Sequence, residues 1–258
     1  MRTIRFTHPM SDQPTFGLLE DDRVTPLSAA PWAGGTPAGE PIGRDEVRLL
    51  APIEPTKIVC VGRNYRDHIK EMGYEVPKTP TLFYKPLSSI LDPGGDVVLP
   101  PTSLTSQIEH EAELAVVIGT RSRNLTRDRA LEAVFGITSA NDVSSRDLVP
   151  LDGNTMRAKS FDTFCPIGPW IETDVDIPAG IQVRCRVNGE LRQDGNSDQL
   201  VFDVPHILEV LSQVMTLEPG DVLLTGSPGG TGPLTPDDRV EIEVADIGPL
   251  VHGVRAGE

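Results

Sequence analysis

The chain has 258 residues, enough for one large domain with an appendage around a sizeable buried core. Its 38% hydrophobic and 24% charged residues exclude a disordered chain, and 24 Gly with 24 Pro against 5% aromatics favour short strands joined by turns. With 23 Lys and Arg against 38 Asp and Glu, a formal net charge of −15, it lacks the clustered cations that nucleic-acid or anionic-membrane binding needs.

The opening Met1-Arg2-Thr3-Ile4-Arg5-Phe6 leads into no apolar stretch of the secretory kind, and no run approaches about 18 consecutive apolar residues. A cytoplasmic protein is expected. Short strands are predicted at residues 4–6, 16–19 and 23–27, followed by loop composition over 33–41. Two prolines in Ala51-Pro52-Ile53-Glu54-Pro55 interrupt any regular element. They divide a small N-terminal β domain, 1–52, from a larger domain, 53–258.

Further along, Leu114-Ala115-Val116-Val117-Ile118 is a continuous apolar run closed by Gly119, the pattern of a strand buried on both faces. An amphipathic helix is predicted over 127–134 and a strand over 136–140. A hairpin is signalled where 182–187 turns at Asn188-Gly189 into 190–192. A second helix is predicted over 204–215, with Asp203 as N-cap and Pro205 in its first turn. A strand at 221–225 feeds the glycine-rich loop 225–232, and 239–244 alternates as a half-exposed strand. Strands and helices do not alternate regularly, which argues against a doubly wound parallel sheet. The expected class is mainly β with some α, in mixed or mainly antiparallel sheets. Cys60, Cys165 and Cys185 are odd in number and form no Cys-x-x-Cys pair, so structural thiols are expected.

Four segments carry residue types suited to chemistry. In Glu109-His110-Glu111-Ala112-Glu113, residues i and i+2 of an extended chain project to one side, which lines up three glutamates. A solvated strand end and a cation site both satisfy that pattern. An all-oxygen donor set selects a hard cation, Mg²⁺ first, with Mn²⁺ or Ca²⁺ as alternatives. Asp142, in Asn141-Asp142-Val143-Ser144-Ser145-Arg146-Asp147, can complete a three-carboxylate site or serve as a turn residue. If residues 62–72 turn helical, His68 and Glu71 share a face; a carboxylate beside an imidazole suits a general base, and a surface ion pair is the plainer reading. Lys159 adds a cation. The loop 225–232 is no Walker motif, since no Lys-Ser/Thr follows its glycines, but it can offer backbone N–H groups to a carboxylate.

Taken in order, several stretches resemble the fumarylacetoacetate hydrolase family. They are Val61-Gly62-Arg63-Asn64-Tyr65, Phe83-Tyr84-Lys85-Pro86, residues 111–119, residues 141–147, Lys159-Ser160-Phe161-Asp162 and Leu224-Thr225-Gly226-Ser227-Pro228. The resemblance implies a roll of mixed β-sheets, of the family's sandwich or barrel type, around the active site, and a homodimer. By match to the family's motifs, Glu111, Glu113 and Asp142 ligate Mg²⁺ or Mn²⁺, and Glu109 stays outside the set. Lys159 would contact substrate and ligand oxygens. His68 and Glu71 match the dyad that activates water, on a segment that often acts as a lid. Arg63, Thr225 and Gly226 fall where the family binds or borders the substrate carboxylate. The chain departs from some acylpyruvate-cleaving members in having Val149 where they carry a glutamine. The implied activity is metal-assisted chemistry on a small 2-oxo acid, β-diketo or dicarboxylic, through an enolate. Hydrolysis of a carbon–carbon bond is the first expectation. Oxaloacetate decarboxylation and 2-hydroxyhepta-2,4-diene-1,7-dioate isomerisation are alternatives on the same site. A non-catalytic 2-oxo acid binder is the reading from another class.

Overall fold

Strand-forming segments dominate, as the turn-rich composition requires. The computed structural model describes residues 1–8, 11–245 and 247–257. The chain opens with β1 (Arg2–His8), β2 (Ser11–Glu20), β3 (Arg23–Pro26), β4 (Ile42–Gly43) and β5 (Arg48–Leu50). There follow β6 (Ile58–Gly62), helix α1 (Arg66–Glu71), β7 (Thr81–Lys85), β8 (Ile90–Leu91) and β9 (Asp96–Leu99). Next come β10 (Ile108–His110), β11 (Ala112–Ile118), β12 (Val134–Asn141), β13 (Ser144–Ser145), and the short helices α2 (Leu148–Asp152) and α3 (Met156–Lys159). The remainder holds β14 (Cys165–Glu172), β15 (Gln182–Val187), β16 (Glu190–Asn196), helix α4 (Val204–Val214), β17 (Val222–Leu224), β18 (Gly232–Pro233), β19 (Arg239–Val244) and β20 (Leu250–Ala256).

The largest sheet runs β4-β3-β2-β1-β14-β12-β11-β17-β6-β7, with β5 added on β1 and β8 on β14. A second sheet runs β16-β15-β19-β20-β9, and a small third runs β13-β10-β18. Most pairings are antiparallel, but β17–β6, β14–β8 and β20–β9 are parallel, so the sheets are mixed as expected. Strand β11 explains how they pack. Leu114, Val116 and Ile118 enter a core shared with Val183, Cys185 and Ile242 of the second sheet and Ile207 and Leu211 of α4. The alternate residues Ala115 and Val117 enter another core with Ile58, Cys60, Ile171 and Leu224. Both faces of β11 are therefore buried, and each large aliphatic contributes about 1.5–3 kcal/mol. A separate small core of Ile4, Phe6, Leu19, Val24, Val47 and Leu49 lies among the N-terminal strands, whose link to the rest runs through β1 paired with β14.

Local signals account for several boundaries. Asn188 and Gly189 both have positive φ, 52° and 81°, as a two-residue type I′ hairpin turn requires. Asp203 caps α4 by accepting the His206 N–H at 2.9 Å, with Pro205 in the first turn. One expectation fails. Residues 127–134 do not form an amphipathic α-helix; Arg127–Ala133 is a 3₁₀ helix. Its buried residues, Ala130 and Ala133, are three apart, which suits three residues per turn and offers too little apolar surface to hold an α-helical stripe. The three cysteines are buried and free, and burial pushes the Cys165 and Cys185 thiols up to about 12. Among the described residues no helix is long and apolar enough to cross a membrane.

Candidate active site

The carboxylates come together because the chain changes sheets at Glu111. Strand β10 belongs to the three-stranded sheet and β11 to the largest, and Glu111 is the single residue between them. Its N–H donates to Asn141 Oδ1 at 2.8 Å, and its carbonyl accepts the Asp142 N–H at 2.9 Å. The three glutamates therefore do not share one face. Glu109 turns toward Arg146, 2.7 Å away, and accepts from Thr231 Oγ1 at 3.2 Å. Glu111 and Glu113 instead meet Asp142, which follows the end of β12. All three are buried, and each offers a ligand oxygen within 4.8 Å of the others.

Buried cations offset this charge. Lys159 Nζ donates to Glu111 Oε2 at 2.9 Å and to Asp142 Oδ2 at 2.6 Å, and it stands 5.3 Å from the centre of the Phe83 ring. Lys85, on β7, lies 2.8 Å from the other Asp142 oxygen. Arg146 bridges Glu109 and Glu111, its Nη2 lying 2.7 Å from Glu111 Oε1. Ser144 Oγ donates to that same oxygen at 2.6 Å. Burial raises the Glu111 carboxyl, but Arg146 and Lys159 overcome it and hold the group well below the usual range. Glu113 behaves oppositely: burial and the charges of Asp142 and Glu111 push it well up, against the pull of Lys159 and the Gly226 N–H. Burial alone would lower Lys159, yet Asp142 and Glu111 hold it above its ordinary value. Converging, oxygen-only carboxylates with one member strained by like charge form a set that can hold a divalent cation.

One cavity of ≈110 Å³ is lined by all three carboxylates together with Lys159, Arg146, His68, Arg63, Phe83, Tyr74, Val149 and Ser227. It is far smaller than the roughly 300–1,000 Å³ typical of drug-sized ligands, so the site suits a molecule of few atoms. A larger groove of ≈540 Å³ runs beside the start of α4, past Arg127, Asp203 and His206. Of these two, the small cavity collects the buried groups with perturbed charge, and that marks the chemistry.

Helix α1 forms one wall. His68 is buried, with Nδ1 3.5 Å from Glu71 Oε2, and the same Glu71 oxygen accepts the Gly230 N–H at 3.0 Å. Asp67 accepts the Gly229 N–H at 3.1 Å, so two carboxylates pin the helix to the glycine-rich loop. Gly230 has φ +90°, and a side chain there would strike the Arg192 carbonyl. Arg63 sits at the rim in the left-handed region, φ 56°, with its guanidinium 4.2 Å from the Tyr74 ring centre. Thr225 and Gly226 stand behind the cavity wall. Thr225 Oγ1 donates to the Leu114 carbonyl at 3.0 Å, and the Gly226 N–H donates to Glu113 Oε2 at 2.7 Å. Ser227 is the residue of that loop that reaches the cavity.

Lys85 and Arg146 lie inside the family-like motifs, and the sequence alone gives neither a role. The only available signal was their composition: a lysine in a strand-like stretch and an arginine four residues after Asp142.

Known proteins share this fold. The model of the fumarylacetoacetate (FAA) hydrolase C-terminal family matches residues 57–255, and that of the Rv2993c-like N-terminal family matches residues 1–52. The human mitochondrial oxaloacetate tautomerase FAHD2A is 43% identical over 223 residues, 82% of this chain and 70% of that one. The crystal structure of 5-carboxymethyl-2-hydroxymuconate delta-isomerase from Mycobacterium smegmatis is 39% identical, with a TM-score of 0.91 over 100% of both chains. Maleylpyruvate hydrolase from Sphingobium sp. SYK-6, solved with manganese(II) and pyruvate, is 30% identical, with a TM-score of 0.81 over 100% of both chains. Members of the family include tautomerases, isomerases and hydrolases, and it is to this fumarylacetoacetate hydrolase family that the chain belongs.

Proposed function

We propose that the protein is a divalent-metal-dependent enzyme that interconverts the keto and enol forms of a small 2-oxo dicarboxylic acid of the oxaloacetate type. The observation that carries this reading is that Glu111, Glu113, Asp142, Lys159 and His68 all line one cavity of ≈110 Å³. Its size favours a four-carbon acid over a long acylpyruvate, and Val149 and Phe83 close the apolar side. The likeness to an oxaloacetate tautomerase points the same way.

When held by Glu111, Glu113 and Asp142, Mg²⁺ or Mn²⁺ supplies Lewis acidity toward the 2-oxo oxygen. Lys159, held on Glu111 and Asp142 at the cavity wall, would favour the negative charge that grows on the 2-oxo oxygen as the adjacent carbon loses its proton. His68 takes that proton. Its Nδ1 faces Glu71, which leaves Nε2 for the substrate, and the 3.5 Å separation is the loose kind that tightens on substrate binding. The proton returns to the oxygen, so the two forms differ only in its place. Arg63, at the rim, meets the distal carboxylate.

Hydrolysis of a carbon–carbon bond is the second reading. It is favoured by the same His68–Glu71 pair, which can activate water, and by the likeness to maleylpyruvate hydrolase. The deciding experiment follows oxaloacetate keto–enol interconversion and pyruvate release side by side, with Mn²⁺ and after chelation, using an acylpyruvate as the competing substrate. Tautomerisation should depend on metal, outrun both cleavages, and fall by about 10²–10⁴ in His68→Gln. Fast acylpyruvate cleavage without tautomerisation would replace the first reading by the second. Tight 2-oxo acid binding with no turnover would leave a binding protein.

A further inference from the structure

Gln193 lies on β16, in the second arm of the hairpin, yet its side chain is fully buried. Every hydrogen-bonding capacity of its amide is used. Oε1 pairs with His110 Nδ1 at 2.9 Å and accepts the Ala112 N–H at 3.0 Å. Nε2 donates to Ser227 Oγ at 2.7 Å and to the Pro228 carbonyl at 2.8 Å. The orientation is fixed, because the Ala112 N–H can only donate and the Pro228 carbonyl can only accept.

These contacts fall at informative places. His110 and Ala112 straddle Glu111, at the point where the chain leaves one sheet for another. Ser227 and Pro228 directly follow Gly226, whose N–H holds Glu113. A single amide thus ties the two segments that aim Glu111 and Glu113. The hairpin comes close enough because residue 195 is glycine; a Cβ there would lie 2.5 Å from Pro228 Cβ.

We propose that Gln193 is a positioning residue for the carboxylate cluster, so that cation affinity depends on a side chain that touches neither cation nor substrate. The proposal rests on the reading of Glu111, Glu113 and Asp142 as cation ligands. Gln193→Leu keeps the bulk and removes the amide. Gln193→Glu keeps an acceptor for Ala112 and sets an oxygen against the Pro228 carbonyl. Mn²⁺ affinity is measured for both variants and the wild type by electron paramagnetic resonance of free Mn²⁺, beside thermal melting without metal. A weakening of roughly ten- to hundredfold in either folded variant is expected, as for other groups that orient metal ligands. A role in folding alone would lower the melting temperature and leave Mn²⁺ affinity within about twofold, and that result overturns the proposal. If Gln193→Leu does not fold, Gln193→Glu decides by the same readout. A wild-type chain that binds no Mn²⁺ overturns the metal reading and this proposal with it, whereas wild-type binding with unaffected variants overturns this proposal alone.

Discussion

Lys85 Nζ donates to the main-chain carbonyl of Lys159 at 2.8 Å, so the one lysine fixes the backbone of the other while both reach Asp142. The arrangement places a fully buried ammonium behind the carboxylate cluster, outside the cavity that Lys159 lines. Removing Lys85 leaves the buried Asp142 Oδ1 without its counter-charge, with Lys159 alone on the other oxygen.

Lys85→Met should therefore destabilise the metal-free protein by about 3–5 kcal/mol. Thermal melting should show a drop on the order of 10 °C. Saturating Mn²⁺ should raise the variant's melting temperature more than the wild type's, because a cation replaces the missing charge. An unchanged melting temperature would refute the pairing as a stabilising contact.

Glu113 makes the opposite trade. Burial and two like charges oppose its ionisation, so Glu113→Gln relieves repulsion in the metal-free protein. We expect its melting temperature in chelator to equal or exceed that of the wild type, with Mn²⁺ binding weakened by roughly a hundredfold or more. Calorimetric titration beside melting curves tests both halves. Retained Mn²⁺ affinity would remove Glu113 from the ligand set.

His252 supplies a pH dependence. Its neighbour Asn141 is oriented by the Glu111 N–H, so Asn141 Nδ2 faces His252 Nε2 at 2.9 Å and the ring proton sits on Nδ1, toward the Gly253 carbonyl. Burial lowers this histidine from 6.5 to about 4. Between those values the unfolded chain carries a proton that the folded chain does not. Stability should fall as pH drops from 6.5 toward 4, by roughly 3 kcal/mol from this group, and be insensitive to it above 6.5. The stability lost between pH 6.5 and 4, read from denaturant melts, should be smaller in His252→Gln by about that amount; parallel profiles would exclude the assignment.

Tyr74 should act on substrate through Arg63. A cation–π contact at an exposed site is worth about 0.5–1 kcal/mol, so Tyr74→Leu should raise KM roughly two- to fivefold. Because Arg63 stands at the rim, kcat should hold. Steady-state kinetics separate the two constants, and a fall in kcat at constant KM would contradict a role limited to carboxylate capture.

Local chemistry made much of this fold legible. Asn188-Gly189 announces its turn through the positive φ that both positions need, and Asp203 announces the start of α4 through its cap. Strand β11 reads as doubly buried because nothing polar interrupts it after Glu113. Glu109 was misplaced because alternation assumes one continuous strand, and the passage between sheets at Glu111 is a tertiary event. The 3₁₀ turn at 127–133 likewise depends on what lies beneath Ala130 and Ala133. Lys85 and Gln193 were opaque for the same reason. A lysine on an edge strand and a glutamine in a hairpin look solvated until distant segments cover them.

Strand order also dictates when the site can exist. Strand β17 lies between β11 and β6, paired antiparallel to the first and parallel to the second. Until residues 222–224 have been synthesised, no strand pairing joins the β6–β7 hairpin to the strand that bears Glu113, and only side chains such as Lys85, on Asp142 and the Lys159 carbonyl, reach across. A nascent chain short of that point carries the apolar edge of β6 exposed, and such edges invite pairing with other chains. The cations that offset the carboxylates, Lys85, Arg146 and Lys159, all precede β17, so what this late three-residue strand adds is the sheet continuity that closes β6 against β11.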